Sequence, residues 1–523
     1  MAVDQEKYTE LDFPVFLGLN TAMKPGGLAP GQFRFMKNAF QGQSLGSIRK
    51  RPGTIPVTGT NIGQIKHLTT YKANDKILAT SGTNLYKYDT VSEEWEQLNG
   101  TLNQDDIYDV DFTDANSVIR KIIADKGSLK AYDDSTETVS AITPAPDDPD
   151  PGAPPNVLPT LNSKGIKYVW SYQSHIFVAF EKSDEVYYSK RFYFDYFPSV
   201  QWERWVRNND YINGCGVAFD NTMLIPMRRG WGVLLGSTFD DFQGNLFLNT
   251  SAGVIAPRSI ARIMYPNGVQ TVAYLSDDGV HEIFDTGFQD VGSRRYSTRS
   301  LMKDKIDFEA LGLTDVEKAG AIAFFDETKS LYLLKFRKGT VNVVYAYDTR
   351  NGEWYPWDNI KANGFVKAVD TIYYAGETGH LHKFDETIGS DWNDRDMNTG
   401  TPIDMDLYSD VISLEDTGYA SYLDYLLIWA KHQPTKSSID VSINFFSGTE
   451  EYGNLVKNQF MVWGSGVWGE AVWYNANFTD LVGRPVRKAI KKKSYFFQIR
   501  FRNNRDELVE MFRYKILGRV SGG

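Results

Sequence analysis

At 523 residues, with 42% hydrophobic and 23% charged residues, the chain has an ordinary globular composition. Its length allows about two to four domains. The net charge of −10 excludes a protein that holds nucleic acid by overall electrostatic attraction. A single cysteine, Cys215, excludes an intrachain disulfide and reads as a small buried hydrophobe.

The polar start M-A-V-D-Q-E-K-Y-T-E has neither the basic nor the apolar part of a secretion signal. Residues 1–60 form an arm unlike the rest. In it, Pro30 is placed to open a short helical turn carrying Phe33, Met36 and Lys37. Ile48–Arg51 reads as a strand stopped by Pro52-Gly53.

From about residue 61 a repeat sets in. Leu85–Trp95 (L-Y-K-Y-D-T-V-S-E-E-W) returns at Val344–Trp354 (V-Y-A-Y-D-T-R-N-G-E-W), with shorter echoes at Ser128–Asp133 and His380–Asp385. Self-similarity at such intervals marks a repeat architecture. Leu85 to Leu129 is 44 residues and Val344 to Leu381 is 37, close to the roughly 40–50 of a four-stranded propeller blade. Alternating apolar and polar residues, with 14% aromatics, point to strands. The fold expected is all-β: a six- or seven-bladed β-propeller over 61–390.

Two insertions interrupt it. Near 144–160, Pro144–Pro155 holds six prolines and three aspartates and reads as an extended surface loop. Near 299–318, D-F-E-A-L-G-L-T-D-V-E-K-A reads as helical. The seventh unit lacks an outermost strand, which the arm or the segment after 387 is expected to supply. Asp89, Asp133, Asp348 and Asp385 occupy one repeated position, as expected of turn-holding residues and not of a catalytic group. After the polar boundary Ile388–Gly400, residues 401–518 read as a β-sandwich. Trp463, Trp468 and Trp473 recur at five-residue intervals between its strands, marking a plug or a contact patch.

No catalytic residue, metal ligand or cofactor motif stands out. Of the six histidines, only His380 and His382 are close in sequence, with no third ligand nearby. The G-x-S-x-G match at Gly42–Gly46 lacks the strand-before-helix context of a nucleophile elbow. Carboxylate pairs such as Asp277-Asp278 suit turns as well as glycoside hydrolysis. Two basic clusters are candidate interaction residues: Arg49, Lys50 and Arg51, and Arg487, Lys488, Lys491, Lys492 and Lys493. They read either as solvated strand ends or as contacts to acidic neighbours or passing DNA.

In the arm, F-L-G-L-N-T at 16–21, L-A-P-G-Q-F…N-A-F at 28–40 and G-S-I-R-K-R-P-G-T at 46–54 resemble the opening of tailed-bacteriophage neck and tail β-propeller proteins. G-T-P-I-D-M-D-L-Y-S-D at Gly400–Asp410 fits the same plan. The resemblance implies a non-enzymatic virion component of the tail nozzle or head–tail connector, made in the host cytoplasm. It implies a homo-oligomeric ring, hexamer or dodecamer, beside tail or adaptor proteins, with viral DNA passing through and no sequence-specific grip. The alternative is a receptor- or glycan-binding propeller of a tail fibre or baseplate, suggested by the aromatic surplus and the Trp463–Trp473 loop.

Overall fold

Seven consecutive antiparallel meanders and two larger sheets make up the computed structural model. It describes residues 7–520 except 43, 45, 73–75, 148–152, 208, 220–221, 238–240, 249, 291–292, 415–419, 432–436, 446 and 455–484. The first meander is His67–Tyr71, Lys76–Ser81, Asn84–Asp89 and Glu94–Gln97. The second runs from Tyr108–Thr113 to Thr138–Ala141, and the third from Ile166–Tyr172 to Trp202–Arg204. The fourth runs from Val217–Phe219 to Gln243–Phe247, the fifth from Ala261–Met264 to Ser293–Ser300, and the sixth from Ile322–Asp326 to Glu353–Asp358. Each pairs its strands in sequence order.

The seventh meander has three strands of its own, Ala362–Ala368, Thr371–Gly376 and Leu381–Asp385. Its fourth is Gly53–Pro56 from the arm, antiparallel to Leu381–Asp385 with Thr54 opposite Phe384. Ser390–Trp392 and Gly400–Pro402 extend this sheet, so the C-terminal body starts at Met405 rather than at 401.

Apolar layers join each meander to the next. Tyr71, Leu78 and Leu85 of the first pack with Ile107, Ile123 and Tyr132 of the second. Comparable clusters join the second to the third, the third to the fourth, and the fourth to the fifth. The fifth, sixth and seventh share one core, and Leu68, Ile77 and Tyr88 of the first pack on Val366, Ala375 and Leu381 of the seventh. The succession thus returns to its start. Strands covered on both faces are nearly continuous apolar runs, as in Thr222–Met227, where every residue is buried and only Thr222 is polar.

The repeated aspartates hold hairpin turns through Asx geometry. The Asp89 carboxylate accepts from Val91 N and Ser92 N at 3.1 Å each, and Asp133 accepts from Ser135 N at 2.9 Å. Asp348 accepts from Arg350 N at 2.8 Å and Asp385 from Thr387 N at 2.8 Å. Tyr88 meets Trp95 edge-on at 6.0 Å and Tyr373 of the seventh meander at 6.5 Å, so the repeat's aromatics are packing residues.

The two larger sheets share one apolar layer. One orders Ala39–Gln41, Ile48–Lys50, Glu510–Val520, Ser421–Ala430 and Val486–Ser494, with Lys7–Phe13 also on Glu510–Val520. The other orders Phe33–Lys37, Met405–Ser409, Phe497–Asn503, Asp440–Phe445 and Gly448–Asn454. Phe501 and Tyr514 meet across the layer at 5.3 Å.

Three expectations need correction. Residues 1–60 are not a separate arm, because four of their strands belong to the larger sheets and a fifth to the seventh meander. Phe33–Lys37 is a strand, not a helical turn, since Phe33 and Met36 are drawn into the shared core by pairing with Met405–Ser409. By contrast, the described residues of Pro144–Pro155 are neither helix nor strand, as expected, and a helix follows them, Leu158–Lys164, whose Leu158 and Leu161 are buried between the second and third meanders. The insertion near 299–318 holds only a short turn at Glu309–Leu311 and a five-residue helix, Asp315–Ala319, closed by a Thr314–Glu317 capping box.

Candidate functional site

The starts of the seven first strands converge on one cavity of about 710 Å³. Lys66, Tyr108, Lys167 and Asn213 bring the first four meanders to its wall. Arg258, Ile322 and Asn363 bring the remaining three. Such convergence demands close backbone approach. A Cβ at Gly364 would stand 2.6 Å from the Leu68 Cβ and 2.9 Å from its backbone nitrogen, so only glycine lets the seventh meander lie against the first.

Arg258 crosses the interior. It sits on the turn Pro257–Ser259, fixed by Leu275 N donating to Ser259 Oγ (2.9 Å) and Tyr332 OH donating to Ser259 O (2.8 Å). Its guanidinium reaches residues 151 to 191 positions away. Nη1 lies 2.6 Å from His67 Nδ1, and Nη2 donates to Asp106 Oδ1 at 2.6 Å and Ile107 O at 2.7 Å. The Tyr108 ring lies beneath it, 5.1 Å from Cζ. Arginine only donates, so His67 Nδ1 accepts and the ring proton is on Nε2, facing Asp109. Asp109 also accepts from Thr69 Oγ1 at 2.8 Å and pairs with Lys121 Nζ at 2.7 Å.

This network sets its own charges. Burial alone would raise Asp109, but Lys121 and His67 hold its carboxyl far below the usual range. Burial, seconded by the Arg258 charge, lowers His67 against the pull of Asp109. A second cavity of about 260 Å³ shares Tyr108, Arg258, Ile322 and Asn363 with the first, so these side chains form the partition between the two. Cys215 lines the second cavity, where burial pushes its thiol up to about 12 and it donates to Val169 O at 3.3 Å. A thiol so protonated is a poor nucleophile. The groups in the partition are satisfied by one another, an arrangement suited to closure and not to proton transfer.

The first basic cluster is neither solvated nor a surface contact. Arg51 is fully buried, with Nη1 and Nη2 on the two Asp391 carboxylate oxygens at 2.9 and 2.5 Å. Lys50 is buried too, donating to Asn503 Oδ1 at 2.8 Å and Arg505 O at 2.6 Å; burial and the Arg51 charge pull it down to about 7. Arg49 pairs with Glu386 at 3.0 Å over the Phe40 ring. Arg49 and Arg51 join the seventh meander to the larger sheets, and Lys50 joins the larger sheets to each other.

The second cluster lies on Val486–Ser494, the last strand of its sheet among the described residues. Arg487, Lys491 and Lys493 are exposed, Arg487 covers the Tyr425 ring at 3.6 Å, Lys488 approaches the Tyr452 ring at 5.9 Å, and Lys492 pairs with Glu450. Trp463, Trp468, Trp473 and His432 lie outside the described residues. His380 and His382 are engaged by Thr58 O at 3.0 Å and Thr378 Oγ1 at 2.8 Å. Ser44 of the G-x-S-x-G match lies between the strands Ala39–Gln41 and Ile48–Lys50, without a helix after it.

The partition has no motif in the sequence. Its one local sign is Lys121, a lysine within I-R-K-I-I-A on an otherwise apolar strand.

No protein-family model matches the chain, and no curated protein does. Among solved structures, the computationally designed Ika8 protein is similar over 63% of this chain and 99% of its own, at 9% identity and a TM-score of 0.37. The extracellular domain of a one component system from B. thetaiotaomicron is similar over 92% of this chain at 12% identity and a TM-score of 0.42. The match spans 62% of that domain's length. Likeness this distant bears on neither family nor function.

Proposed function

We propose that the chain is a structural protein of a tailed-bacteriophage virion, assembling as a homo-oligomeric ring at the neck or tail. In this reading the seven meanders are the blades of a β-propeller, closed by Gly53–Pro56, and the two larger sheets are a β-sandwich. Support for the propeller comes from the return of the seventh meander to the first and from the cavity that all seven first strands line.

The observation that carries the functional reading is the use made of the arm. The segments at 16–21, 28–40 and 46–54, which resemble phage neck and tail proteins, weld the seventh meander to both larger sheets. One stiff body results, as a ring subunit under mechanical load requires. Arg258 and Tyr108 partition the axis of the propeller, so a passage for DNA is bounded by several copies and not by one propeller. The net charge of −10 suits a passage that does not grip phosphates.

Electron microscopy of virions labelled with an antibody to this chain, together with native mass spectrometry of the purified protein, tests the reading. Label on the head–tail axis and a closed ring of six or twelve are expected. Label elsewhere on the particle, or a stoichiometry of three, would sink it.

A further inference from the structure

We propose that the 710 Å³ cavity at the convergence of the seven first strands binds a carbohydrate unit of one or two sugar rings, an activity separate from ring assembly. The volume lies within the roughly 300–1,000 Å³ of small-molecule sites. The cavity has a mouth and a floor. Lys66, Asp106 and Asp315 at its rim are exposed, while Ile255 and Ile322 deeper down are buried.

The charges of the lining select the ligand class. Its Arg258, Lys167 and Arg228 are each engaged within the protein, by Asp106 at 2.6 Å, Glu181 at 3.1 Å and Asp277 at 2.8 Å. No cation pair is left to hold a phosphate. Among the described residues, the Lys66 ammonium, the Asp105 and Asp315 carboxylates and the Tyr211 hydroxyl have no hydrogen-bond or ion-pair partner, and no cluster of three metal-ligating side chains exists. Two carboxylates call for donors, one ammonium calls for an acceptor, and a phenol takes either. Vicinal hydroxyls offer both on one small frame. The ring of Tyr211 and the apolar side chains of Ile255, Pro257 and Val316 supply faces for the C–H surface of a sugar.

An array of immobilised oligosaccharides of two to four rings, neutral and N-acetylated, probed with the full chain and followed by calorimetry on the retained sugars, tests this. Retention of a subset is expected, with binding about tenfold weaker in Asp105→Ala or Asp315→Ala, the loss of one charged hydrogen bond. Because both carboxylates are unpaired, the variants should melt and assemble as the wild type does, which separates failure here from failure of the ring. Three outcomes would overturn the proposal: no sugar retained, affinity unchanged in the double variant, or preferential retention of an oligolysine probe, which would assign the cavity to a basic peptide.

Discussion

Arg51 donates every guanidinium hydrogen to an acceptor inside the protein: Asn38 Oδ1, Pro52 O, Asp358 O and both oxygens of Asp391. Truncating it leaves the Asp391 carboxylate buried without its counter-charge, a loss of roughly 3–5 kcal/mol. Arg51→Ala should therefore unfold at markedly lower denaturant in an equilibrium titration. Arg51→Lys should recover only part of the difference, because an ammonium lacks the planar fork. His67 makes a different forecast. Its folded-state pKa lies below the ordinary 6.5, so the unfolded chain takes up the proton more readily. Stability from this group is complete above that value and falls as pH drops through it. His67→Gln keeps a donor for Asp109 and an acceptor for Arg258 without titrating. Between about pH 7.5 and 5, melting curves should show the wild type losing ground to the variant; parallel curves would refute the assigned tautomer.

Among the elements, Val486–Ser494 is an edge strand among the described residues and presents Lys491 and Lys493 to solvent. Lysines on an edge deter indiscriminate strand pairing and leave a seam that only an acidic partner matches. Lys491→Glu with Lys493→Glu should leave the subunit's melting temperature nearly unchanged but abolish assembly in light scattering. An intact assembly would remove this strand from the interface. Elements also show what a sequence makes legible. The turns at Asp89, Asp133, Asp348 and Asp385 were readable because an Asx turn is local chemistry, complete within three residues. The need of the seventh unit for another strand is legible from a missing partner, but that Gly53–Pro56 fills it is not, since Pro52-Gly53 has the signature of a stop and the segment after 387 is an equal candidate. The burial of Lys50 and Arg51 was not foreseen, since a charged triplet beside a turn has the signature of a solvated one. Arg258 and His67 stand 191 residues apart, and neither carries a local pattern naming the other.

At the scale of the whole molecule, the succession of meanders and the two-sheet body are not independent lobes on a linker. Trp357 Nε1 donates to Ala39 O at 3.0 Å, and Lys37 Nζ pairs with Asp358 at 2.9 Å, tying the sixth meander to the arm strands. Force applied to one body therefore passes to the other through buried hydrogen bonds and not through a hinge. No helix among the described residues is long and apolar enough to cross a membrane.

Lys7–Phe13 pairs with Glu510–Val520, so the first strand described waits for the last. Ribosomes add roughly 5–20 residues per second, which leaves the first strand without its partner for on the order of 25–100 s. Gly53–Pro56 waits less, because Leu381–Asp385 is translated more than a hundred residues earlier than Glu510–Val520. The meanders can thus close on the nascent chain while Lys7–Phe13 and Phe33–Lys37, upstream of the closing strand, still lack their partners. For the proposed ring, this order means that a subunit's larger sheets close only once Glu510–Val520 has been made, so half-made parts would not be built in.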